Sequence, residues 1–137
     1  MKRRALLAGL AAAGLVATLS GCTLANAITP PIESELYATT DDASSSSATI
    51  PIPTWVPGGS TTIRIKENTE TGASIMTFYA PEGTGTIGGA CDAAMLEKKP
   101  PLDDTWWKSP ENGEGVTCQD GWTIFQYTTQ FWAWKTP

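Results

Sequence analysis

The sequence lacks histidine entirely among its 137 residues. Histidine is the usual base that activates a serine or cysteine nucleophile, and it is a common zinc ligand. Its absence excludes a Ser-His-Asp triad, a Cys-His pair and histidine-bound zinc. Glycines at the spacing of a phosphate-binding loop are also missing, because Gly83, Gly85, Gly88 and Gly89 do not fit it and no long helix is predicted after them. We therefore expect no enzymatic activity and no cofactor.

Positive charge is scarce. The chain has 9 Lys and Arg against 14 Asp and Glu, and three of the basic residues fall within positions 2–4. Without residues 1–21 the balance is 6 − 14 = −8. Nucleic-acid binding requires Lys and Arg to neutralise phosphates. We expect no nucleic-acid partner.

Charged residues are also missing from the whole stretch between Arg4 and Glu33. A basic start followed by the Ala-, Leu- and Gly-rich segment 5–18 is typical of a secretory signal peptide. A permanent membrane span usually needs about 20 predominantly apolar residues. This segment is shorter, so residues 1–21 are predicted to be a signal peptide.

The residues Leu19-Ser20-Gly21-Cys22 resemble the lipobox of bacterial lipoproteins, which is an apolar residue, two small residues and a cysteine. The resemblance covers the first 22 residues. It implies that the Cys22 sulfur is diacylated, that cleavage makes Cys22 the first residue, and that acyl chains hold the protein in the bilayer on the extracytoplasmic face of the cell membrane. An ordinary secretory signal or an uncleaved anchor is the alternative, and the Arg3-Arg4 pair leaves the export route open.

With Cys22 assigned to lipid, two of the three cysteines remain, Cys91 and Cys118. Outside the cytoplasm, such a pair in a small domain is predicted to form a disulfide. A free catalytic thiol is the alternative, but the histidine that usually activates it is missing.

Residues 22–47 are predicted to be the lipidated N-terminus and a flexible linker. They include Pro30-Pro31 and the four serines 44–47, and such polar sequence buries too little surface to offset the entropy of ordering. The stretch from Ile50 to Trp55 is interrupted by prolines, which would confine it to an edge strand. The folded domain is predicted over residues 48–137.

Within that domain the pattern favours antiparallel strands. The segment 61–66 alternates apolar and polar residues, and a turn separates it from a second strand at 75–80. Asp120-Gly121 fits a tight hairpin between 116–119 and 122–127, and a last strand follows at 131–135. Asp92 could cap one short helix at 93–97. The fold is predicted to be mainly β, a small antiparallel sheet or sandwich.

Aromatic residues are abundant. Trp132 and Trp134 share one face of the last strand, while Trp106 and Trp107 are adjacent in a loop. One interpretation is that a loop, helix or second sheet covers the face and buries these rings. The other is an exposed aromatic platform, because Trp and Tyr often dominate the binding energy of interfaces. On the second interpretation, these four tryptophans are the predicted contact residues.

The same loop carries Asp103, Asp104, Glu111 and Glu114. Their spacing is not that of an EF-hand, and a pair of carboxylates for glycoside hydrolysis would need a larger cleft than a domain of this size usually provides. Solvated loop charges are the simpler explanation. The sequence thus favours a non-catalytic protein-interaction module at the cell envelope, in one version a phage- or plasmid-encoded exclusion lipoprotein. The alternative is a carbohydrate-binding module, so the expected partner is an envelope protein or a glycan.

Overall fold

The computed structural model describes residues 31–110 and 115–137, so the predicted signal peptide and Cys22 lie outside the described residues. The described chain forms a six-stranded sheet in which every neighbouring pair is antiparallel. Its elements are β1 (Ile32–Thr39), α1 (Thr40–Ala43), β2 (Thr61–Asn68), β3 (Ser74–Tyr79), α2 (Ala93–Leu96), β4 (Thr117–Gln119), β5 (Trp122–Tyr127) and β6 (Gln130–Lys135). The spatial order is β1-β2-β3-β6-β5-β4. The predicted mainly β class is confirmed.

Both predicted hairpins form. Asp120 and Gly121 have φ angles of 50° and 80°, and positive φ at both central residues is what a tight β4–β5 hairpin requires. Between β2 and β3, the Asn68 side chain accepts hydrogen bonds from the backbone N–H groups of Glu70 and Thr71. Asx turns of this kind reverse the direction of the chain between two strands.

The flexible-linker prediction is wrong for residues 32–47. Residues 32–39 form β1, which pairs with β2 in a regular register from Ile32 opposite Asn68 to Thr39 opposite Thr61. Tyr37 explains why this segment is folded. Its side chain is only 6% exposed, and its hydroxyl donates a 2.8 Å hydrogen bond to the Ile50 carbonyl. The burial of this one aromatic side chain offsets the entropy cost of ordering the polar residues around it.

The polar residues after β1 serve as helix caps. Thr39 and Asp42 form a reciprocal capping box at the start of α1. The hydroxyls of Ser44 and Ser45 donate to the carbonyls of Thr40 and Asp42 at its end. The described residues therefore contain two short helices where one was predicted. The predicted helix at 93–97 is confirmed as α2, although the side chain of Asp92 makes no capping hydrogen bond.

One face of the sheet, called here the first face, carries the larger core. Its buried strand residues are Tyr37, Ile63, Ile65, Met76, Phe78, Trp122, Ile124, Phe131 and Ala133. The Phe78 and Phe131 rings stack with centroids 5.2 Å apart. The segment 48–56 covers this face with the side chains of Ile50, Trp55 and Val56. Residues 50–55 are therefore a covering loop, and the predicted edge strand there is wrong, since β1 and β4 form the edges.

The Cys91–Cys118 disulfide is present, with Cα atoms 5.0 Å apart. It fastens the loop between β3 and β4 to the short strand β4. Gly89 and Cys118 also exchange two backbone hydrogen bonds of 3.0 and 2.9 Å beside it. Gly88 permits this approach, because a Cβ there would lie 2.7 Å from the Cys118 carbonyl oxygen.

Candidate interaction surface

Trp132 and Trp134 lie on the second face of the sheet, and each is only 5% exposed. The Phe125 ring stacks on Trp132 with centroids 5.1 Å apart. Together with Ile75, these rings form a second core. Rings buried to this extent do not form an exposed platform, so the exposed-platform interpretation is wrong for Trp132 and Trp134.

Trp106 and Trp107 form the cover of that second core. Both are partly buried, and the Trp107 ring meets Trp134 edge to face with centroids 6.3 Å apart. The Trp107 indole N–H donates to the Ser109 hydroxyl at 3.1 Å. The covering interpretation of the aromatic face therefore holds over this half of the sheet. Part of each ring stays accessible, but its main contacts are within the domain.

The cover is held by a salt bridge. Lys66 Nζ lies 3.0 Å from the Asp104 carboxylate and donates to the Asp103 carbonyl at 2.8 Å. Burial by itself raises the pKa of Asp104, but hydrogen bonds from Lys66 and Thr105, with the attraction of the Lys66 charge, outweigh it. The pKa of Asp104 therefore lies below its usual value. Asp104 thus has a structural role in this loop.

The other acidic residues of the loop form no site in the described chain. Glu111 and Glu114 lie outside the described residues. Across residues 31–110 and 115–137, no three His, Cys, Asp or Glu side chains are grouped so as to hold a metal ion. No helix in those ranges is long and apolar enough to span a membrane.

A cavity of about 470 Å³ lies beside the second core. Its described lining includes Leu96, Lys98, Lys99, Val116, Thr123 and Trp134. None of the described lining residues is a carboxylate or a free thiol, so the described wall has neither the carboxylate pair of a glycosidase nor a cysteine nucleophile.

Beyond the cover, the second face is open to solvent. Tyr79 on β3, Gln130 on β6 and Tyr127 on β5 occupy one row across three neighbouring strands. The two tyrosines are 43% and 64% exposed. These three residues are called the tyrosine row. Side chains in such a row stand about 5 Å apart from strand to strand, so the two rings flank the amide between them.

Two members of the tyrosine row have side-chain contacts within the domain. Gln130 Nε2 donates to Thr77 Oγ1 at 3.1 Å, and that hydroxyl in turn donates to the Phe131 carbonyl at 2.8 Å. Lys108 Nζ lies 5.2 Å from the centre of the Tyr127 ring, within the range of a cation–π contact. These contacts limit the freedom of the Gln130 and Tyr127 side chains, which lowers the conformational entropy that they lose on binding.

The next row on the same face adds an apolar and a cationic group. Leu36 on β1 is 59% exposed and pairs with Arg64 on β2, whose neighbour on β3 is Thr77. The strand residues of this face include Arg64 and Lys66 and no carboxylate. The acidic strand residues Glu33, Glu35 and Glu67 belong to the opposite face. Lys66 is paired with Asp104 under the cover, so Arg64 is the basic strand residue beside the tyrosine row.

The tyrosine row lies at the end of the sheet opposite to the point where the described chain begins. Ile32 and the start of β3 mark one end, whereas Thr39 and the end of β3 mark the other. Seven steps along β1, at about 3.3 Å each, separate the two ends by about 23 Å.

The sequence patterns did not single out Tyr79 or Tyr127 as contact residues. The usable signal was that both end a strand, where a covering loop reaches least easily. Compared with known proteins, the chain matches no family model, no curated protein and no solved structure.

Proposed function

We propose that this protein is a lipid-anchored, non-catalytic protein-interaction module on the extracytoplasmic face of the cell membrane. The observation that supports it best is the tyrosine row, with two exposed rings on a rigid sheet at the end far from the chain's N-terminal side. Exposed tyrosines beside an arginine have the composition that dominates the binding energy of protein interfaces. An envelope protein is therefore the proposed partner.

The proposed anchor determines how far the tyrosine row lies from the membrane-attached end of the domain. Cys22 precedes Ile32 by 32 − 22 = 10 residues, which reach at most about 35 Å when fully extended. Acyl chains on Cys22 would hold the start of β1 within that distance of the bilayer. The row, about 23 Å farther along the sheet, would then be displayed at the end of the domain away from the anchor.

The anchor can be tested directly. Cells expressing the full chain are fed an alkyne-labelled palmitate, and labelling and membrane association of the wild type are compared with those of Cys22→Ala. We expect label and membrane retention in the wild type and loss of both in the variant. Retention of Cys22→Ala in the membrane, unlabelled, would favour an uncleaved anchor instead.

The contact surface is tested with variants of exposed residues. Tyr79→Ala with Tyr127→Ala should abolish capture of an envelope protein by the full chain in detergent. Leu96→Ala is the matched control, because Leu96 is 55% exposed on α2 and lies outside the tyrosine row. Equal capture by the wild type, the double tyrosine variant and Leu96→Ala would remove the tyrosine row from the proposed function.

The alternative is a carbohydrate-binding module that uses the same row, since two rings flanking an amide could stack on sugars and donate or accept hydrogen bonds. Titration of the protein with solubilised cell-wall glycans distinguishes the two. Saturable binding that disappears in Tyr127→Ala favours a glycan, and a flat titration favours a protein. The exclusion version of the proposal is tested by gene neighbourhood, since it requires a phage or plasmid location.

A further inference from the structure

The two edges of the sheet differ in how they are protected. Strand β4 is only three residues long, and the Gly89–Cys118 bridge lies against it. Strand β1 is eight residues long, contains no proline, glycine or lysine, and keeps one register along its length. Proteins usually protect an open edge with proline, charged side chains or bulges, because a long regular edge pairs readily with another strand. Of these devices β1 has only the charges of Glu33 and Glu35, which disfavour an acidic partner strand but not a basic one.

The outward side of β1 follows from one hydrogen bond. Thr69 N donates to the Pro31 carbonyl at 2.9 Å, across the same register as the β1–β2 pairs. The backbone N–H and C=O groups of successive residues point to alternate sides of a strand. In β1 those of the odd-numbered residues, such as Glu35, point toward β2. Those of Ser34 and Leu36 therefore point outward, away from the sheet. Within the part of the chain that the structure describes, β1 pairs with β2 alone, and no other backbone group bonds to these outward groups.

The side chains of β1 define what would fit beside it. Leu36 is 59% exposed on the second face, with Ser34 next to it on the same side. Glu33 and Glu35 lie on the first face, and Glu35 accepts a hydrogen bond from Thr49. The strand carries two carboxylates and no basic residue. Cross-strand pairs of opposite charge, and apolar pairs on the other face, stabilise an added strand.

We propose that β1 is a strand-addition site for an extended segment of a protein partner that alternates apolar and basic residues. Backbone hydrogen bonds to Ser34 and Leu36 supply affinity, and side chains on the two faces supply specificity. The apolar residues cover Leu36, and the basic residues meet Glu33 and Glu35. The inference rests on the proposed function only in taking the partner to be a protein, since the edge and the tyrosine row are separate surfaces.

The test uses the full chain in dodecyl maltoside micelles and an acetylated, amidated heptapeptide that alternates lysine and valine. Amide hydrogen exchange is followed by NMR. Without peptide, the amides of Ser34 and Leu36 should exchange rapidly, and those of Glu35 and Tyr37 should be protected by the β1–β2 ladder. With saturating peptide, exchange of Ser34 and Leu36 should slow by about tenfold or more, since each amide gains a hydrogen bond.

Three comparisons make the result specific. Ser34→Pro removes one outward N–H without breaking a bond to β2 and should abolish binding, whereas Ser34→Ala keeps that N–H and should bind normally. Glu33→Lys should weaken binding about fivefold, because a cross-strand attraction becomes a repulsion. A peptide that alternates glutamate and valine should bind more weakly than the lysine peptide by a similar factor.

Several outcomes would overturn the proposal. Protection of Ser34 and Leu36 before peptide is added means that the edge is already paired, by the chain's own N-terminal residues or by a second copy, and sedimentation separates these two cases. Unchanged binding in Ser34→Pro, or equal binding of the acidic peptide, also contradicts it. Substituting both tyrosines of the row should leave edge protection intact, so failure at one surface is distinguishable from failure at the other.

Discussion

Lys66 on β2 and Asp104 in the loop after α2 form a salt bridge of 3.0 Å that joins residues 38 positions apart in the chain. The same ammonium also bonds to the Asp103 carbonyl. Through these contacts the loop carrying Trp106 and Trp107 is held against the second core. The cover of this face thus depends on a small polar clamp as well as on aromatic packing.

Removing the clamp should loosen the cover. We expect Lys66→Ala to lower the free energy of unfolding by about 1 kcal/mol, the upper range for a partly exposed ion pair. Urea denaturation measures this, with Lys135→Ala as the control, because Lys135 is exposed and forms no salt bridge within the described ranges. Equal loss in both variants would mean that the clamp contributes nothing specific.

The clamp also predicts a pH dependence. The pKa of Asp104 in the folded protein lies below its usual value, so the ionised carboxylate favours folding. This contribution is fully present above the unfolded pKa of about 4 and is lost as pH falls through the lower folded pKa. Urea midpoints measured from neutral to acidic pH should therefore fall less steeply in Asp104→Asn than in the wild type. Parallel profiles would contradict this role.

Buried and exposed aromatic residues should respond differently to truncation. Trp134→Ala removes a ring that is 5% exposed and should cost about 3–5 kcal/mol of stability. Tyr127→Ala removes a ring that is 64% exposed and should change stability by about 0.5 kcal/mol or less. Thermal or urea unfolding distinguishes them. A large loss in Tyr127→Ala would show that the tyrosine row is part of the packing.

The disulfide should contribute strongly to the stability of the fold. It closes a separation of 27 residues, for which the chain-entropy model gives about 3–4 kcal/mol. We expect Cys91→Ser with Cys118→Ser to lose about that much, measured by urea unfolding. Reduction of the wild type should give a similar loss, and a stable reduced protein would show that the hydrogen bonds of Gly89 suffice to hold the loop.

Strand β1 should prove integral to the domain. Tyr37→Phe removes the hydroxyl that donates to the Ile50 carbonyl, so we expect a loss of about 1 kcal/mol. A chain that begins at residue 48 loses β1 altogether and should not fold, because it exposes Ile63 and Ile65 of β2. A folded, cooperative 48–137 fragment, judged by near-UV circular dichroism, would restore the boundary expected from sequence.

The sequence by itself determined the local features of the fold. Alternation at 61–66 specified β2, and Asp120-Gly121 specified a hairpin whose positive φ angles only a few residue types adopt readily. The two cysteines that remain after Cys22 is assigned to lipid pointed to the Cys91–Cys118 disulfide. Each of these signals lies within a few neighbouring residues or in a simple count, so no knowledge of long-range packing was needed.

Only the tertiary structure decided which residues are covered. Segment 32–47 has a polar composition, yet Tyr37 inserts into a core made by strands far away in sequence, and that burial offsets the entropy of ordering β1. Trp132 and Trp134 are buried because a distant loop, held by Lys66 and Asp104, packs over them. Tyr79 and Tyr127 remain exposed because that loop does not bury the far end of the strands. Periodicity assigns a side chain to a face, but long-range packing decides whether that face meets protein or solvent.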